Sequence, residues 1–115
     1  MHLKKYSLGA VLKTYECRQV NAGSTAVIYE QNVPSPYVCF VNSVALSWYP
    51  DTEVIVYIDG EVFERFRRAI PVTEPYRLDP PVVVRHGIKV VVVNNSSHNH
   101  WFEVAFDGVA VEEKN

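Results

Sequence analysis

The chain has 115 residues, 48% apolar and 21% charged, the balance of one globular domain with a single core and not of a disordered segment. Eleven basic against thirteen acidic residues leave a formal charge of −2, which offers a phosphate backbone no net attraction and argues against nucleic acid as a partner. No apolar run approaches the roughly 20 residues of a bilayer span, and "MHLKKYSLGAVLKTYECR" lacks the sustained apolar stretch of a secretory signal, so no membrane association is expected.

Residues 1–10, which include Lys4, Lys5 and Tyr6, are expected to form a flexible basic arm, followed by one β-sandwich domain over 11–115. Val11 to Val20 reads as the first strand and "NAGS" closes it. Thr25 to Glu30 is the second, ended by "QNVPSP", whose prolines remove backbone donors. Tyr37 to Trp48 is long, apolar and aromatic, as a central strand should be.

"TEVIVYIDGEVFER" predicts a hairpin, because Asp59-Gly60 suits a type I′ turn in which both central residues need positive φ. Its second arm also fits one face of a helix, and the turn chemistry favours a strand. Pro71 to Pro81 holds four prolines and reads as an extended surface crossover. "VVVRHGIKVVVVNN" is then β-branched on both sides of His86-Gly87, and "HWFEVAFDGVAVEE" predicts a second hairpin turning at Asp107-Gly108. About eight short strands with tight turns and long crossovers predict an all-β antiparallel β-sandwich, most economically a single jelly roll.

"NNSSHNHWFE", Asn94 to Glu103, is the stretch that raises metal chemistry. His98, His100 and Glu103 are three ligand types that zinc or iron accepts. The cupin spacing is nevertheless missed in three places: two residues separate His100 from Glu103, four separate Glu103 from Gly108, and Val92 stands where that motif has its first glycine. Asn94, Asn95, Ser96 and Ser97 are turn formers, so the expectation is a polar loop with no metal and no cofactor.

Cys17 and Cys39 fall on different expected strands; two free, buried thiols are expected, and a bridge is the alternative. Neither they nor Ser43 and Ser47 lie in a nucleophile-elbow pattern, and Asp51, Glu53, Glu74 and Asp79 read as solvated loop carboxylates, so no enzyme is expected. "ERFRRA" carries Arg65, Arg67 and Arg68, read first as a salt-bridged rim and second as an interface. Tyr6, Tyr49, Tyr76 and Trp101 are the aromatics expected at the surface, with Trp48 and Phe102 in the core.

"VYIDGEVFERF", "LDPPVVVRHGIKVVVVNNSS" and "FEVAFDGVAV" together resemble the small β-sandwich proteins that decorate, cement or form fibres on virus and phage particles. The likeness covers about half the chain and carries over no functional residue. It implies a non-enzymatic structural protein of the virion, assembled in the host cytoplasm, contacting other virion proteins and forming a homo-oligomer, a trimer by preference. A carbohydrate-binding sandwich using Trp101 and Tyr49 is the alternative, with glycan as its ligand, and a cupin-like metal enzyme comes third.

Overall fold

A computed structural model describes residues 4–113 as nine strands and one turn of 3-10 helix. The strands are β1 (Lys4–Ser7), β2 (Tyr15–Val20), β3 (Thr25–Asn32), β4 (Tyr37–Leu46), β5 (Thr52–Ile58), β6 (Glu61–Phe66), β7 (Tyr76–Val84), β8 (Gly87–Asn94) and β9 (His100–Glu112). They pair antiparallel as β2 with β9, β3 with β8, β4 with β7 and β5 with β6, so the chain doubles back about the β5–β6 turn into four nested pairs. Rolling that long hairpin brings β9 against β4 and β8 against β5. The result is two facing sheets, β1-β9-β4-β7 with β2 also on β9, and β3-β8-β5-β6. This is the strand order of a jelly roll.

Alternation along each strand builds the core. Cys39, Val41, Val44, Phe102, Val104 and Phe106 of the first sheet meet Ile28, Val54, Val56, Ile88, Val90 and Val92 of the second, all in one buried cluster. Each large apolar side chain sealed in this way contributes roughly 1.5–3 kcal/mol. In β8, Ile88, Val90, Val92 and Asn94 point inward while Lys89, Val91 and Val93 point out. The run "VVVV" is therefore a strand of ordinary period, apolar on both faces.

Asp59 and Gly60 have φ of 51° and 84° and close the β5–β6 hairpin, and residues 61–66 are a strand. Three expectations are corrected. Asp107-Gly108 makes no turn: β9 runs straight through it, because its thirteen residues must serve β4 along one side and both β1 and β2 along the other. The proline-rich stretch crosses between the sheets only as far as Pro75, and Pro80 and Pro81 sit within β7, an edge strand where missing donors are tolerated. Residues 78–81 bulge opposite Asn42 between the pairs Ser43–Arg77 and Val41–Val82.

The third correction concerns the arm. Lys4–Ser7 form β1 on β9, and Leu8, in the 3-10 turn that follows, is buried in the core. Tyr6 packs edge-on against Tyr37 and donates its hydroxyl to Glu112, so the strand is held by side chains as well as by its ladder. Residues 1–3 of the expected arm lie outside the described residues.

Candidate interaction surface

Asn94 organises the loop that carries the histidines. Fully buried at the end of β8, it donates from Nδ2 to the carbonyls of Val20 and His98, and its Oδ1 accepts from the N–H and hydroxyl of Ser96. Asn99 Oδ1 accepts from the Ala22 N–H, tying the loop to the β2–β3 turn. The polar residues therefore close a loop by bonding its own backbone.

His100 begins β9, and alternation along that strand puts it on the inner side with Phe102, whereas Glu103 lies on the outer side with Trp101. The two belong to opposite faces of one sheet, so they cannot converge on one ion. His98 and His100 stand with ring centroids 6.3 Å apart, and among the described residues no group of three or more His, Cys, Asp and Glu side chains could hold a metal. Cys17 pairs with Glu103 and Cys39 with Ala110, on opposite faces and roughly 23 Å apart along β9, so these free thiols cannot bridge within the chain. Cys39 is buried as expected, and burial pushes its thiol pKa up, whereas Cys17 is only half-buried.

The expected surface aromatics divide. Tyr49 stacks on His100 at 3.9 Å and donates its hydroxyl to the Trp101 carbonyl, so its ring is engaged internally. Tyr76 is half-buried, edge-on to Phe66, with the Arg68 guanidinium 5.8 Å above it. Trp101 is 58% exposed. Arg65 and Arg67 both bond Glu53, at 2.8 and 2.7 Å, which makes them a salt-bridged rim; burial raises the Glu53 pKa, and the two guanidinium groups outweigh it and hold the carboxyl below its usual range. Lys4 and Lys5 are exposed on β1.

The outer face of the β1-β9-β4-β7 sheet is the feature that the sequence reading missed. Val109 on β9, Phe40 on β4 and Val83 on β7 are neighbours in one cross-strand row, and Val111 and Val38 form the next pair along. None of these belongs to the interior cluster. At the other end Tyr15, Ala105 and Ala45 form another row, and with Ile70, Val72 and Glu103 they line an open groove of about 350 Å³. Val72 is 74% exposed on the groove wall, and Tyr15, Val83, Trp101 and Val109 are exposed on the face itself.

Between the two apolar ends lies one polar row, Asp107 on β9, Ser43 on β4 and Arg77 on β7. A sandwich core needs apolar residues on only one face of each sheet; Val38, Ala45 and Val111 are covered by their neighbours, but the exposed Tyr15, Val72, Val83 and Val109 are apolar surface that the core does not account for. The signal was legible in "YVCFVNSVAL" and "VAFDGVAV", where apolar residues occupy both phases of the alternation.

No family model and no curated protein matches the chain. Among solved structures it is similar to the infectious bursal disease virus VP2 subviral particle, at 9% identity and a TM-score of 0.44, over 97% of this chain and 33% of that one. It is also similar to a structure of the infectious bursal disease virus Gx strain, at 12% identity and a TM-score of 0.33, over 96% and 31%. The chain spans about a third of the length of either neighbour.

Proposed function

We propose that this protein is a non-enzymatic structural component of a virus or phage particle, of the decoration, cement or fibre type, which acts through contacts with other virion proteins and with copies of itself. The observation that carries the reading is the apolar outer face of the β1-β9-β4-β7 sheet: the Val109, Phe40, Val83 row and the groove beside Tyr15 spend large side chains where folding has no use for them. The resemblance of residues 54–111 to particle sandwiches supplies the setting. Trp101, Lys4, Lys5 and Arg68 add exposed groups suited to contact at the margins.

Density-gradient purification of particles from the natural host, followed by quantitative mass spectrometry, tests the reading. The chain should co-sediment with the particles in a fixed ratio to the major shell protein. Abundance in the host lysate with absence from the particles would overturn it.

A second reading, a carbohydrate-binding sandwich, retains one favourable observation: Trp101 shares the outer face with Glu103 and Tyr15, a ring and a carboxylate side by side. Tyr49, its other expected platform, is engaged by His100. A glycan array separates the two, since no sugar class should be retained if the face serves protein contacts.

A further inference from the structure

We infer that the outer face of the β1-β9-β4-β7 sheet is an isologous interface at which two copies of this chain pack sheet against sheet about a two-fold axis running along β4. The inference deepens the assembly reading by naming the face and the partner. A two-fold axis lying in the plane of contact and parallel to β4 keeps every cross-strand row opposite itself and exchanges the β9 side with the β7 side.

The rows satisfy that exchange. Asp107 on β9 and Arg77 on β7 flank Ser43 of β4 in one row, so each copy's carboxylate is carried opposite the other copy's guanidinium, and two equivalent ion pairs form. Both residues are exposed, and among the described residues neither makes an ion pair within the chain; Asp107 only accepts from the N–H of Gly108. In the next row the same rotation sets Val109 against Val83 of the other copy and Phe40 against its own counterpart. The groove beside this face is walled by Tyr15 beyond β9 and by Val72 near Ile70, which bridges Leu46 of β4. An axis across the strands would instead put Asp107 on Asp107, which is repulsive.

Oppositely charged flanks around a neutral centre, with apolar rows beyond, are complementary to themselves and to no trimer, whose contacts join two different patches. On the outer face of the β3-β8-β5-β6 sheet, by contrast, Glu53 is already paired with Arg65 and Arg67, and Lys89 stands 4.9 Å over the Tyr57 ring.

The test is sedimentation equilibrium of the full chain and four variants, with circular dichroism melts to confirm folding. Wild type should be a dimer; Arg77→Glu and Asp107→Lys should each weaken dimerisation at least tenfold, and the double exchange should recover most of the loss. Val83→Glu, on an exposed edge-strand position, should dissociate the dimer on its own, which keeps the proposal falsifiable if Asp107→Lys fails to fold. Val62→Glu on the opposite sheet should change nothing. A wild-type monomer at high concentration, a trimer, or a dimer indifferent to Arg77→Glu and Val83→Glu would each overturn the inference. Recovery of the chain in purified particles alongside such a result would leave the assembly reading standing and remove only this face.

Discussion

Gly108 of β9 and Phe40 of β4 lie so close across their ladder that a Cβ at Gly108 would collide with the Phe40 carbonyl oxygen and come within 3.0 Å of the carbonyl carbon and of Val41 Cα. Backbone, not a movable side chain, occupies the space. The contact sits where β4 shifts register between Val41 and Ser43, so the glycine admits the close approach beside that irregularity.

Gly108→Ala should therefore destabilise the fold by about 2–3 kcal/mol, the cost of forcing a methyl into packed backbone. Gly60→Ala meets no atom within 4 Å and carries only the left-handed backbone penalty, about 1 kcal/mol. Urea midpoints for the two variants make the comparison. Equal and small losses would show that β4 and β9 yield more easily than their geometry implies.

The two Asp-Gly pairs also mark how far the sequence could be read. At 59–60 the dipeptide joins adjacent strands of one sheet, so local turn chemistry and tertiary need agree. At 107–108 the same letters lie inside a strand bonded on both sides, and the close approach to Phe40, unknowable from neighbours in sequence, decides the outcome. Edge position explains the second miss, because prolines exclude a central strand but not one like β7 with a free side. Periodicity gave the core, since Val90, Val92, Phe102 and Val104 alternate as a half-buried strand demands, yet it is silent on which outer face has a use. That needed the register, which alone brings Asp107, Ser43 and Arg77 into one row.

Asn94 should prove the most sensitive polar residue. Its buried amide makes two donor and two acceptor bonds, and Asn94→Ala takes the buried donor from the Val20 carbonyl and the acceptor from the Ser96 N–H. A loss of about 2–4 kcal/mol is expected by chemical denaturation, since unmet buried groups cost more than an average bond contributes. Asn94→Asp should be worse at pH 7 than at pH 4, because a carboxylate would face the carbonyl oxygens of Val20 and His98. An exposed-residue effect, under about 0.5 kcal/mol, would refute the hub assignment.

The thiols should react in order. Cys17 is half-buried on the outer side of the edge strand β2, and Cys39 lies at 0% exposure between the sheets with its pKa pushed up by burial. A disulfide reagent should titrate one thiol per native chain quickly and the second only after denaturant is added. Cys17→Ser should abolish the fast phase. Two fast thiols in the native protein would contradict the sealed core around Cys39.

Asp59 links the hairpin turn it occupies to the β7–β8 turn, accepting from the N–H groups of His86 at 2.7 Å, Gly87 at 3.0 Å and Arg85 at 3.1 Å. Burial raises the Asp59 pKa, but these three donors together outweigh it and hold the carboxyl below its ordinary range. A group whose folded pKa is depressed stabilises the protein fully above its unfolded value, about 3.9 for aspartate, and loses that contribution as pH falls through the folded value. Asp59→Asn keeps a residue that tolerates the positive φ and one acceptor oxygen, so it removes mainly the charge. The variant should lie about 1–2 kcal/mol below wild type at pH 7, a charged acceptor being worth more than a neutral one, and the gap should close as pH falls below 4. Glu53 and Glu16, also held low by their cationic partners, weaken both proteins alike on acidification and cancel in the difference. Urea midpoints of both at pH 7, 4 and 2.5 give the answer: a gap that stays constant across this range would mean that the carboxylate's charge plays no part in joining the two turns.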